Sequence, residues 1–170
     1  AIHGSYSRSD RVNHALSRTF DLMGASSLTW KVAHNQLHHT FTNIDGFATD
    51  IDPGPWMRFS PHGKPPRFAH RFQYLYAWML YALTAIAWVF VKDFGQLYKR
   101  HAHRGEVIDV ITWKAAHFAL FLGVPVLAVG TPLWIALVSY ATMMAVTGVT
   151  LAVVFQLAHV VEGVAFCARP

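Results

Sequence analysis

Between Ala115 and His159 the chain carries no Asp, Glu, Lys or Arg. A run of that length without a charge cannot be covered by an ordinary soluble core of this size, and it places the chain in or on a membrane. Gly130-Thr131-Pro132 divides the run into roughly 15 and roughly 26 residues, which predicts two helices joined by a tight turn. As crossings these would occupy residues 114–129 and 133–158. The first is short for a span unless it extends back toward Trp113.

A second uncharged stretch, Tyr74–Val91, would be about 27 Å long as a helix and taken alone is a span. Its flanks argue differently. Arg58, Lys64, Arg67 and Arg71 precede it, and Lys92, Lys99, Arg100 and Arg104 follow it, so both ends carry the basic signature of the cytoplasmic side. If His39 and His159 serve one centre they lie on one side of the membrane, which requires an even number of crossings between them. Both considerations predict that Tyr74–Val91 lies in the interface, or dips in and returns.

Composition supports a membrane protein: 54% of residues are hydrophobic and only 14% charged. The net charge of +5 would suggest nucleic-acid binding in a soluble domain. Here the basic residues flank apolar segments instead, the pattern of membrane-surface anchoring, and no nucleic-acid partner is expected. A single cysteine, Cys167, excludes an intrachain disulfide framework. Val12, Leu16, Phe20, Met23 and Leu28 recur at roughly helical spacing between charges. They predict an amphipathic helix lying on the membrane. Residues 43–67, rich in Pro, Gly and Asp, read as a long loop with a functional reason for its length.

Chemistry concentrates in Trp30–Asp52, WKVAHNQLHHTFTNIDGFATDID. On a helix His34 and His38 share a face one turn apart, and His39 points about 100° further round, toward a second metal. Imidazole suits iron, copper and zinc, and a ligating His usually gives its other N–H to a carboxylate or carbonyl. Asp45, Asp50 and Asp52 are near enough in sequence to serve. A polar, His-rich loop is the plain alternative in a chain with 11 His. Two further positions favour a metal: His3 at the start of the chain, and His159 where the long apolar run ends.

HNQLHHTFTNIDG, preceded by HGSYSR and followed by HRFQYLYAW, resembles the membrane fatty acid desaturase family, nearest the branch of linoleoyl-CoA-type and front-end acyl-lipid enzymes. That family carries three histidine boxes: H-D-x-x-H, H-x-x-x-H-H or H-x-x-H-H, and a late Q-x-x-H-H. The resemblance covers nearly all of the chain. It implies an all-α integral membrane fold, in which a transmembrane helical hairpin and amphipathic or interfacial helices carry a histidine cluster on the cytosolic face. It implies that residues 1–170 form a partial desaturase domain, with Ala1-Ile2-His3 the tail of the first box and the third box absent. The expectation is an internal part of a longer protein, inactive by itself.

The resemblance further implies that His3, as the second histidine of the first box, and His34, His38 and His39, as the second box, bind two irons that react with O₂. His159 joins them by position, with a capping or interfacial role as its alternative. Asp45, Gln156 and Glu162 are candidates to orient imidazoles or hold a metal-bound water. Trp30, Arg67, His70 and Arg71 are candidates for contact with the acyl chain or its carrier, and Trp78 and Trp88 for an acyl path or simple packing. His14, His62, His101 and His103 read as surface residues, and His117 as structural.

Taking hydrogen from an unactivated methylene is beyond any side chain and calls for a metal centre using O₂. The implied substrate is an acyl-CoA or a membrane lipid acyl chain. No C-x-x-C, haem-attachment motif or nucleotide-binding glycine loop is present, so electrons come from a ferredoxin- or cytochrome b5-type protein, or from a further domain. Alternatives are a di-iron hydroxylase or alkane-type monooxygenase, a non-catalytic membrane protein binding metal or haem, and an inactive lipid-binding piece.

Overall fold

The computed structural model describes residues 5–38, 40, 44, 55–62, 65–159 and 163–167; for 36–38 and 159 it describes the backbone alone. The described residues are helical apart from loops and one isolated parallel bridge between Ile44 and Cys167. The helices are α1 (Asp10–Leu22), α2 (Ser27–Trp30), α3 (Gln73–Ala87), α4 (Asp93–Lys99), α5 (Arg104–Phe118) and α6 (Leu133–His159). α2 continues as a π-helix through Lys31–His38, α5 as a π-helix through Ala119–Ala128, and a π segment, Trp88–Lys92, joins α3 to α4.

Three helical runs are long and apolar enough to cross a membrane: Phe68–Lys99, Arg104–Ala128 and Leu133–Ala158. The second begins ten residues before the start expected from the apolar run, so the hairpin arm is not short. The first is continuous, which excludes a segment that enters and turns back within Tyr74–Val91. By length and composition alone it could cross a membrane, while an interfacial course keeps an even number of crossings between the second histidine box and the end of α6. These helices turn apolar residues outward: Leu75, Met79, Leu83, Ile108, Leu127, Leu137, Val146 and Val154 are all exposed. Lipid is the solvent such a surface fits.

The most extensive interhelical contact joins α3 to α6. It is made possible by Gly148, where an added Cβ would lie 2.5 Å from the Tyr81 carbonyl oxygen and 2.8 Å from that of Ala82. Such close backbone approach through a small residue is how helices associate where lipid removes the hydrophobic incentive. Around it Ala85, Val89 and Met144 form the buried apolar cluster, with Ile86, Phe118, Tyr140 and Met143 against it.

The other half of the assembly is held by polar groups. α1 buries Asn13, Ser17 and Asp21 and leaves Val12 and Met23 exposed. Leu16, Phe20 and Leu22 are half-buried as well, so the helix packs polar and apolar side chains inward and exposes Asp10, Arg11, His14 and Thr19. It docks on α5 through Arg18, which bonds Asp109 at 2.8 Å and Asp21 at 3.1 Å. The hydrogen bond to Asp109, with that to Asp21, outweighs partial burial and holds the guanidinium above its ordinary range. His117 is fully buried, its Nδ1 donating to the Leu22 carbonyl at 2.9 Å and its Nε2 accepting from the Tyr140 hydroxyl at 2.8 Å. Both nitrogens are committed to joining α1, α5 and α6, which bears out its structural reading.

Candidate metal centre

The helical run Ser27–His38 carries His34 and His38 of the second histidine box. Its N-terminus is capped heavily. Asp21 accepts from the Ser27 N–H at 2.5 Å and from the Ser27 hydroxyl at 2.9 Å, while Asp93 accepts from the Ser26 N–H at 3.0 Å. The first-turn N–H groups of a helix have no partners within it, and carboxylates are the favoured acceptors there. Beyond Trp30 the run relaxes into π geometry, and π segments are frequent at functional sites.

His34 is 9% exposed, with its ring stacked on Trp30 at 4.6 Å between centroids and 21° between planes. Trp30 packs in turn on Trp88 at 4.8 Å and on Phe155 at 5.4 Å, and Phe20 closes the group at 5.5 Å. Phe155 also lies 6.4 Å from the His34 ring. It stands one turn before His159, so the end of α6 abuts the helix bearing His34. The bridge from Ile44 to Cys167 makes the same connection beyond both histidines. The chain thus brings the second box and the end of the long apolar run together, although about 120 residues separate them.

The remaining expected ligands are less fully described. His38 and His159 are placed by backbone only, and His3, His39, Asp45 and Glu162 lie outside the described residues. Among the described residues no three His, Cys, Asp or Glu side chains gather as a metal site. The donor chemistry still fits iron: an imidazole withdrawn from water, followed four residues later by another on the same helical run.

Beside this helix is a cavity of about 290 Å³. Trp30, Trp88 and Phe155 form its wall toward His34, Leu80, Leu83 and Ala87 its α3 side, and Gln156 a polar point on α6. Trp56, Met57 and Phe59 cover it from the loop before α3. That part of the loop is pinned: Gln73 exchanges two hydrogen bonds with the Arg58 backbone, at 2.9 and 3.1 Å, and the Tyr76 hydroxyl donates to the Trp56 carbonyl at 2.6 Å. Met57 and Phe59 were not foreseen as lining residues; a Pro- and Gly-rich loop offers no periodicity from which to read them.

The surface candidates fall elsewhere. His70 accepts the Arg67 backbone N–H at Nδ1, 3.1 Å away, so its Nε2 carries the proton and donates to the Pro55 carbonyl at 3.2 Å. It fastens the start of the α3 run rather than facing the cavity. Arg71 lies over the Phe68 ring at 5.8 Å, and Arg67, Arg71 and Trp78 are exposed. His14, His62, His101 and His103 are exposed, as expected of surface residues.

Residues 1–166 match the family described as fatty acid desaturase. Among curated proteins the chain is 36% identical to an sn-1 linoleoyl-lipid 6-desaturase of Arthrospira platensis, over 96% of this chain and 46% of that protein. It is 31% identical to a protein of the same name in Synechocystis sp., over 98% of this chain and 48% of the relative. It is also 31% identical to an acyl-lipid (8-3)-desaturase of Physcomitrium patens, over 96% and 36% respectively. The chain therefore spans about half the length of the first two relatives, or less of the third. No solved structure matches it. With the family matched across nearly the whole chain and its helices suited to a bilayer, this chain belongs to the fatty acid desaturase family.

Proposed function

We propose that the chain is part of a di-iron, O₂-dependent desaturase that introduces a double bond into the acyl chain of a membrane lipid. The observation that carries this reading is the Trp30 ring, which stacks on His34 on one side and walls the apolar cavity on the other. An extended hydrocarbon in that cavity lies within one aromatic ring of an imidazole withdrawn from water. The lipid-linked carrier, rather than acyl-CoA, is favoured because the relatives at 31–36% identity are named for acyl-lipid substrates.

His3, His34, His38, His39 and His159 would hold the irons, with Asp45, Gln156 and Glu162 near enough in sequence to orient them. The two irons, when bound, supply the O₂-dependent oxidising power that an unactivated methylene requires. The balance is one hydrogen from each of two adjacent carbons, plus two electrons and two protons, reducing one O₂ to two waters and leaving one C=C bond. Trp30, Trp88 and Phe155 hold the acyl chain straight and exclude water beside His34. The loop through Trp56 and Phe59 closes the cavity from the other side. Electrons would come from a ferredoxin- or cytochrome b5-type protein meeting the basic groups at Lys92, Lys99 and Arg100. Those charges favour a cytosolic face for the centre.

The test is expression of the whole gene in a host lacking the product, with gas chromatography and mass spectrometry of the membrane acyl chains. A new double bond, lost in His34→Ala and His38→Ala, supports the proposal. A hydroxyl group at the same carbon would instead make this a hydroxylase, and unchanged lipids would remove the enzymatic reading.

A further inference from the structure

Four segments converge on one buried ion pair that the metal and substrate assignments leave unused. Asp93, the first residue of α4, is fully buried, and Lys114 on α5 is 7% exposed. The Lys114 ammonium donates to Asp93 Oδ2 at 2.5 Å and to the Gly24 carbonyl at 2.5 Å, with the Trp88 carbonyl at 3.5 Å. The same carboxylate reaches the helix that bears the histidines. Oδ2 accepts from the Ser26 N–H at 3.0 Å, and Oδ1 from the Thr29 hydroxyl at 2.5 Å.

We propose that the Asp93–Lys114 pair is a positioning device for the histidine-bearing helix, gripping its first turn at Ser26 and Thr29 so that Trp30 and His34 are held in one orientation. This rests on the reading of His34 as an iron ligand. A buried ion pair adds little net stability, because desolvation consumes much of its attraction, but it is strongly directional. Apolar packing alone would leave the run Ser27–His38 free to tilt or rotate on its neighbours.

The lever arm gives the scale. His34 lies seven residues beyond Ser27, at most about 10 Å along the axis at the α-helical 1.5 Å per residue. A tilt of about 10° about the capped end would carry its imidazole nearly 2 Å, several times the ~0.5 Å tolerance of a working metal site. Thr29 lies one residue before Trp30, so its hydroxyl bond to Asp93 fixes rotation as well as tilt. The pair also ties the Trp88 turn, through that carbonyl, to the same ammonium. Trp30, which stacks on His34, and Trp88, which packs on Trp30, are thereby both tied to a single charge on α5.

The experiment uses the protein expressed from its whole gene and purified in detergent micelles. Ferrous iron affinity is measured by equilibrium titration, and amide hydrogen exchange over residues 31–38 is followed in iron-free protein. Thr29→Val removes the Oδ1 bond and leaves the ion pair intact; Asp93→Asn tests the charge. Tyr140→Phe, which deletes a buried hydrogen bond to His117 away from Trp30, is the control for general loosening. Thr29→Val and Asp93→Asn are expected to weaken iron binding about tenfold or more, and to speed exchange over 31–38. Tyr140→Phe should do neither, even where its Tm falls as far. Iron affinity and exchange in Thr29→Val indistinguishable from the Tyr140→Phe control would overturn the inference, whatever Asp93→Asn does to folding. Wild-type iron affinity in His34→Ala would instead overturn the ligand assignment beneath it. The exchange data, taken without iron, judge the positioning role separately.

Discussion

Replacing Gly148 by Ala tests the packing on which the cavity depends. In most helices this change is favourable by about 0.5–1 kcal/mol, since glycine loses more backbone freedom on folding. Here the new Cβ would lie 2.5 Å from the Tyr81 carbonyl oxygen and 2.8 Å from that of Ala82. Ordinary contact begins near 3.4 Å, so α3 and α6 must part by roughly an ångström. Both obstructing atoms are backbone and cannot swing aside as a side chain would. Overpacking of this kind costs about 1–3 kcal/mol, and rigid obstruction puts it in the upper part of that range, for a net loss of about 1–2 kcal/mol. The assay is reversible unfolding in mixed detergent–SDS micelles followed by circular dichroism. Gly95→Ala on α4, where nothing lies within 4 Å of the added Cβ, serves as the reference. It should gain about 0.5–1 kcal/mol. Equal stabilities for the two variants would refute the close approach of α3 to α6.

Gly24→Ala should be damaging for a second reason as well. Its φ of +99° is left-handed, and a Cβ would meet Val89 Cγ2 at 2.9 Å and His117 Cε1 at 3.0 Å; a loss of about 2–4 kcal/mol is expected in the same unfolding assay. Asp109→Asn should cost less than about 1 kcal/mol, because its ion pair with Arg18 is partly exposed, and the loss should shrink as salt is raised. A loss independent of salt would show the pair to be drier than it looks. Stripping iron with a chelator should abolish the product double bond and leave the helical circular dichroism unchanged, since the α3–α6 contact and the Asp93–Lys114 pair need no metal. A collapse of the helical signal would make iron part of the fold.

What could be read from the sequence is what local pattern encodes. The apolar run after Lys114 and the break at Gly130-Thr131-Pro132 place α6 and the end of its partner within a residue or two, because a bilayer imposes length and lack of charge. The histidine triplet and its downstream motif, with HGSYSR before and HRFQYLYAW after, carry the resemblance that the family match bears out. What escaped reading depends on partners far along the chain. Glu106, Asp109 and Lys114 look like the charged flank of a span beginning near residue 114. In the fold Asp109 meets Arg18 and Lys114 meets Asp93, so the helix starts at Arg104 and carries these charges on its protein-facing side. Basic residues at both ends of Tyr74–Val91 likewise suggested an interfacial segment. The continuous run Phe68–Lys99 rules out the dip and return, and by length and composition it is also able to span. Thr29 and Ser26, uninformative in sequence, acquire a role only when Asp93 reaches them.

The polar residues fall in one part of the molecule for a physical reason. α3 and α6 meet through Gly148 and small apolar neighbours, a contact that fixes distance but tolerates sliding, because dispersion forces have little direction. The helix carrying His34 cannot rely on such a contact, since an imidazole must hold its angle as well as its position. It is accordingly capped by two buried carboxylates, Asp21 and Asp93, each tied to a different helix and each with a cation close by. Both tethers lead to α5, through Asp109 and Lys114. A desaturase must admit a flexible acyl chain while keeping its oxidising centre rigid. On the proposed reading, apolar contact on the acyl side and directional hydrogen bonds on the histidine side meet these two demands within one chain.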